Sequence, residues 1–214
     1  AHHKPQAVES LLGRANGRKL TALAWNHDPR RLETRKRAHS AGAQSALGRR
    51  PATEAVYKPV LLHLAERIAS RLRAKDRPGR TITVRVRFAD MRAVTRAHTL
   101  PAPISATMTL AETAIDLVRG VLRDHPRERT ISLLAISVSH LGADDSQQLE
   151  LPFGLRDEGR RPGSRKGMAR LKADRALDKI RARFGDETIG YAAGARSAAR
   201  SVPDAFRSLA EKRL

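Results

Sequence analysis

The sequence predicts an α+β fold, and three patterns carry that prediction. Residues 81–88 alternate strictly, with Ile82, Val84, Val86 and Phe88 on one face and Thr81, Thr83, Arg85 and Arg87 on the other, the period of a half-buried strand. Residues 53–75 and 107–123 instead repeat their apolar positions at helical spacing. Residues 131–139 form an apolar strand in which Leu134, Ile136 and Val138 share a face. A chain of 214 residues has room for one well-buried domain with appendages.

In chain order, 8–25 is helical in pattern, with Leu11, Leu12, Leu20 and Leu23 apolar and Gly13 and Gly17 interrupting; Asn26-His27-Asp28-Pro29-Arg30 is a stop. Residues 36–44 form a segment of extended character. In 53–75, Val56, Val60, Leu61, Leu64, Ile68 and Leu72 make one stripe able to cover a sheet, and Pro59 must lie near the first turn or kink the helix. Arg77-Pro78-Gly79 is a turn. A short connection at 89–92 leads into a second extended segment, 94–100, which Pro101 and Pro103 end. The stripe of 107–123 is Leu110, Ala114, Leu117 and Val121.

The resulting β-α-β-β-α-β order between 36 and 141 is the split β-α-β arrangement of ferredoxin-like folds, with two helices on one sheet face and the other face free. Arg85 and Arg87 point away from the apolar side of their strand, so the free face is expected to be electropositive. Beyond 141 the chain turns polar, passes through Gln148-Leu149-Glu150-Leu151-Pro152-Phe153, and continues in a Gly-, Arg- and Pro-rich basic linker over 154–167. Residues 171–184 suggest one more helix, stopped by Gly185, and Ser201-Val202-Pro203-Asp204 another helix start.

Lysine and arginine number 42 against 22 acidic residues, a formal charge of +20, which points to a polyanionic partner. Aromatic residues are only 3% of the chain, too few for a base-stacking platform. Without cysteine there can be no disulfide or thiolate metal site. No apolar run approaches a membrane span. Nucleotidyl transfer needs carboxylates holding two metal ions about 4 Å apart. The adjacent acidic pairs, Asp144-Asp145, Asp157-Glu158 and Asp186-Glu187, lie in linkers or after a helix stop, the histidines lack metal-ligand spacing, and no phosphate-binding glycine loop is present, so no catalytic residue is assigned.

Three segments together resemble the C-terminal portion of Y-family translesion DNA polymerases of the polymerase IV type. Leu11-Leu12-Gly13-Arg14-Ala15-Asn16-Gly17-Arg18, running on to Asp28-Pro29-Arg30, is similar to the end of the family's thumb. Ser40-Ala41-Gly42-Ala43-Gln44 and Thr95-Arg96-Ala97-His98-Thr99-Leu100 resemble two strands of its little finger, with Ala41 and Gln44 departing from the commoner bulky aliphatic and Glu. The hexapeptide from Gln148 to Phe153 is similar to a bacterial sliding-clamp-binding motif, whose amide and apolar side chains suit a pocket.

The resemblance implies four regions: the helical end of a thumb (1–30), a DNA-binding little finger (31–141), a linker with the clamp motif (142–170) and a basic helical tail (171–214). It implies DNA contacts from Lys36, Arg37, His39, Ser40, Gly42, Arg85, Arg87, Thr95, Arg96, His98 and Thr99, and clamp contacts from Gln148, Leu149, Leu151 and Phe153. The partners expected are primer–template DNA, bound independently of sequence, and the bacterial sliding clamp, for a monomeric cytoplasmic, nucleoid-associated protein. The polymerase's magnesium would sit in a palm that this sequence does not match, so this chain is expected to hold no cofactor and to be inactive alone. Two other readings of the charge stay open: a stand-alone ferredoxin-like RNA-binding module, and a regulatory protein competing for the clamp. Arg67, Arg71, Arg73 and Lys75 are expected to line the solvent face of their helix without partners.

Overall fold

A computed structural model describes residues 4–31, 38–142, 164–185 and 188–191. The chain forms two compact units, Ala1–Lys36 and Arg37–Leu214. In the first, the expected interrupted helix is two helices, α1 (Pro5–Leu12) and α2 (Arg14–Ala24), with Pro5 in the first turn where its missing N–H costs nothing. Gly13 makes the break at φ +79, a conformation that side chains with a Cβ resist. Gly17 is buried, and a Cβ there would lie 2.5 Å from Glu9 Cα, so the close approach of α2 to α1 requires glycine. Leu11 is 83% exposed, and Leu12, Leu20, Leu23 and Trp25 also face solvent.

The second unit is built on a four-stranded sheet of β1 (Ser40–Pro51), β2 (Gly79–Phe88), β3 (Ala93–Ile104) and β4 (Thr130–Leu141), in the spatial order β1-β4-β2-β3. Every neighbouring pair is antiparallel, so β1 runs parallel to β2 across β4, and β3 parallel to β4 across β2. These are two interleaved split β-α-β units, closed by α3 (Glu54–Ala74) and α4 (Thr107–Asp124). The expected α+β class and element order are both found.

The core lies between the helices and one sheet face. Phe88, Ile82, Val84 and Val86 from β2 and Leu134, Ile136 and Val138 from β4 are sealed under Leu61, Leu64, Ile68 and Leu72 of α3 and Leu110, Ala114, Val118 and Val121 of α4. Burying a large aliphatic or aromatic side chain contributes about 1.5 to 3 kcal/mol, so this layer dominates the stability of the unit. α3 stays helical through Pro59.

Two strands run further than the sequence suggests. β3 continues through Pro101 and Pro103, which were expected to end it. It is the edge strand, where missing N–H groups are tolerated, and its register with β2 shifts between Thr81↔Thr99 and Gly79↔Ile104. β1 extends to Pro51 past a register shift around Gly48, whose φ is +70; its alanines and serines give too little hydropathy contrast to mark the strand.

A fifth helix, α5 (Arg165–Phe184), begins inside the span expected to be linker, because the Ser164 hydroxyl caps it by accepting a hydrogen bond from the Gly167 N–H at 3.0 Å. α5 rests on α3 and α4, and Arg73 of α3 fastens it. The side chain of Arg73 is 5% exposed, contrary to the expectation of a solvent-facing residue. It donates to both oxygens of Asp178 (2.6 and 2.9 Å), to Asp174 (3.2 Å), and to the Ser105 carbonyl (2.8 Å). Arg71 is likewise not idle, reaching the Gly42 carbonyl at 3.3 Å.

Asp174 is itself 1% exposed and fully engaged. It accepts from the Thr107 N–H at 2.7 Å, where α4 has no side-chain cap of its own, and from the Tyr191 hydroxyl at 2.6 Å. A carboxylate brought from α5 therefore satisfies an orphan donor at the start of α4 and meets the positive end of its dipole. Around this centre, Arg170 grips Glu112 of α4 through two bonds at 2.8 and 2.9 Å, and Arg181 pairs with Glu66 of α3.

Removing one member of a buried ion pair strands the other, so Arg73→Met should cost about 3 to 5 kcal/mol in chemical denaturation. The amides of α5 should lose hydrogen-exchange protection before those of the strands; unchanged protection there would contradict the role given to Arg73. Tyr191 supplies a pH signature: burial first, and the bond to Asp174 second, hold its phenol above its ordinary value of 10.0. A group raised on folding stabilises fully below its unfolded pKa and loses that contribution as pH rises through the folded one. Thermal stability should therefore fall as pH climbs beyond about 10, and Tyr191→Phe should flatten that alkaline limb in melts followed by circular dichroism.

Candidate nucleic-acid interface

Pleating sends alternate residues to opposite faces, and the register of the four strands defines the side left free by the helices. β2 presents Thr81, Thr83, Arg85 and Arg87 there. Opposite them stand Ser139, Ser137, Ala135 and Leu133 of β4 and Thr99, Ala97, Thr95 and Ala93 of β3. β1 completes each row with Ser40, Gly42, Gln44 and Ala46. The surface is made of short side chains, most of the polar ones hydroxyls, with two arginines in its lower rows and no carboxylate at any of these positions.

The top row is internally ordered. Thr81 Oγ1 lies 2.8 Å from Thr99 Oγ1 and 2.8 Å from His140 Nδ1, and His140 adopts a positive φ of 55°. In the bottom row Arg87 donates from Nε to Ser132 Oγ at 3.0 Å, while that hydroxyl donates to the Phe88 carbonyl at 2.8 Å. Arg87 is therefore held in place at the β2–β4 register shift. Arg85 is exposed and makes no ion pair among the described residues.

This grid brings together Ser40, Gly42, Arg85, Arg87, Thr95 and Thr99 of the expected DNA contacts, and His39 is exposed just before β1. Arg96 and His98 are not part of this grid. They pair with Val84 and Ile82, whose side chains are in the core, so both belong to the helix side of the sheet. Their exposure comes from the edge position of β3, and Arg96 reaches across to Asp124 of α4 at 3.0 Å. Neighbouring strand residues cannot share a face, so Thr95-Arg96 and His98-Thr99 are each split between the two sides.

Lys36 and Arg37 lie outside the described residues, as do Gln148, Leu149, Leu151 and Phe153. Ser137, Ser139 and His140 were missed. The signal for the two serines was present, since they alternate with Ile136 and Val138 and so point away from the core. Among the described residues no group of three or more His, Asp or Glu side chains converges to hold a metal ion, and no helix is long and apolar enough to cross a membrane.

Residues 38–151 match the C-terminal domain of the impB/mucB/samB family. The chain is 70% identical over 208 residues to DNA polymerase IV 2 of Mesorhizobium japonicum, covering 97% of this chain and 50% of that protein. DNA polymerase IV of Desulfatibacillum aliphaticivorans is 31% identical over 179 residues, covering 83% of this chain and 42% of its own length. The chain thus spans about half the length of the curated relatives it matches. Among solved structures, a Y-family DNA polymerase chimera superposes with a TM-score of 0.50 at 19% identity, over 64% of this chain and 38% of that one, a likeness of fold. These similarities give no support to a stand-alone RNA-binding module.

Proposed function

Because the chain belongs to the impB/mucB/samB family and carries its C-terminal domain, the C-terminal part of a Y-family DNA polymerase, we propose that its open sheet face holds primer–template DNA by the sugar–phosphate backbone. The observation that carries the reading is the carboxylate-free grid of hydroxyls with Arg85 and Arg87. Hydroxyl and guanidinium donors suit phosphate oxygens, and phosphate contacts position a protein without reading sequence. Short side chains on a broad sheet cannot reach base edges deep in a groove, which makes the grip independent of sequence. Gly42 allows the backbone of β1 to approach a ligand closely.

In this proposal the hexapeptide from Gln148 to Phe153 is a second, weaker handle for a bacterial sliding clamp, and the support for it is its sequence alone. It falls after β4 ends at Leu141 and before α5 starts at Arg165. Tethering by a peptide raises the effective concentration of the DNA-binding face at a primer end, so two modest contacts give a longer residence. Magnesium would belong to carboxylates of a polymerase palm. The described residues of this chain do not fit such a site, so no step here runs through it.

Binding to a labelled primer–template duplex, followed by fluorescence anisotropy, should show little sequence preference and weaken steeply with salt. Arg85→Glu together with Thr83→Glu should reduce affinity at least about tenfold, and the salt slope should drop by about 0.9 for every phosphate that is no longer neutralised. As surface changes, they should leave thermal stability nearly untouched. Unaltered DNA binding by a folded double variant would refute the sheet face as the interface. For the tether, alanine at Gln148, Leu151 and Phe153 should abolish capture by a bacterial clamp while leaving DNA affinity intact; undiminished capture would rule out the hexapeptide as the tether.

A further inference from the structure

α5 divides its charges by side. Its two carboxylates, Asp174 and Asp178, turn inward to Arg73, and Arg170 and Arg181 turn inward to Glu112 and Glu66. Arg165, Lys172, Arg175, Lys179 and Arg183 are exposed, and none of them pairs with a carboxylate among the described residues. At 100° per residue these side chains fall within an arc of about 80°, on a stripe about 27 Å long, since each residue rises 1.5 Å. Arg183 is held over the Phe184 ring at 5.2 Å.

The inward clasp fixes which way this stripe faces. With Asp174 capping α4 and Asp178 holding Arg73 from both oxygens, α5 cannot rotate about its axis without breaking buried charge pairs. Apolar burial alone would not do this, since Leu171 is the one large apolar side chain of α5 that is buried. A cationic row of fixed orientation, as long as about eight base-pair steps at 3.4 Å, matches a regularly charged rod better than a compact acidic patch.

We propose that the outer stripe of α5 is a second DNA-backbone site, separate from the open sheet face. α5 lies on the helix side of the sheet, so a straight duplex on the open face cannot also reach it. The stripe therefore takes a different DNA segment. Co-capture rests on the sheet face binding DNA as proposed, and a single phase that is lost in the α5 variant but kept in the sheet-face variant would count against the sheet face and not against the stripe.

The test uses the whole chain and two short duplexes carrying different fluorophores. Energy transfer between them should appear when both are bound at once. Replacing Lys172, Arg175, Lys179 and Arg183 by Gln should abolish co-capture and lower the salt slope of the second binding phase by about 3 to 4. Arg85→Glu with Thr83→Glu should remove the other phase and leave the stripe occupied. A charge-matched control, with Lys75, Arg123, Arg127 and Arg129 changed to Gln, should retain co-capture. Circular dichroism and exchange protection of α5 establish that each variant is folded and docked. The proposal is overturned if the α5 variant still co-captures two duplexes, if the control loses capture equally, or if the variant loses only binding to vesicles containing phosphatidylserine.

Discussion

A strand offers each residue one of two directions, and in this sheet that choice decides which residues make the core and which can meet a partner. β4 and β2 are central, hydrogen-bonded on both edges, and their register fixes Ile136 against Val84 and Ala135 against Arg85. A slip of one residue would push Arg85 into the helices and Val84 into water. The aliphatic side chains under α3 and α4 therefore specify the polar face as firmly as they stabilise the core. The hydroxyls and arginines need contribute no folding energy of their own to be held in position.

The same alternation explains what could be read in the sequence. β2 was legible because Val84 and Arg85 differ so strongly, and α3 and α4 because large apolar residues recur on one stripe. β1 was only partly legible, since Ala43, Ser45 and Ala46 are similar in size and hydropathy. β3 was truncated at Pro101 because proline is a reliable break only where its N–H would be needed, and the edge of a sheet does not need it. The side of the sheet that Arg96 takes was not legible from its likeness to a family motif, which gives neighbours in sequence, whereas a face requires neighbours two apart.

Other features were beyond any local pattern. Nothing in the stretch around Arg73 announces burial; an arginine beside exposed positions on an amphipathic helix ordinarily faces water. It is buried because Asp174 and Asp178, one helical turn apart and about a hundred residues later, bring the compensating charge. Asp174 and Asp178 were equally opaque, since α5 has a mixed composition whose meaning depends on what it touches. Partner choice across that distance is a tertiary fact.

A chain with a formal charge of +20 must place its few carboxylates with care, and the fold uses many of them between elements. Glu54 joins α3 to Arg119 of α4, and the bonds from Arg119 and then Lys58 hold its carboxyl down to about 2. Glu66, Glu112, Asp174 and Asp178 join α5 to the helices beneath it. Glu66, Glu112, Asp174 and Asp178 each meet an inward-facing cation and are drawn in from the outer surface, whereas Glu54 and Arg119 pair while about half exposed. Among the described residues the open sheet face, with Arg85 and Arg87, and the outer side of α5 carry cations with no carboxylate among them, so the device that fastens the helices leaves both surfaces positive. Self-repulsion is the cost, and a polyanion laid on either surface relieves it, coupling partner binding to the stability of the domain.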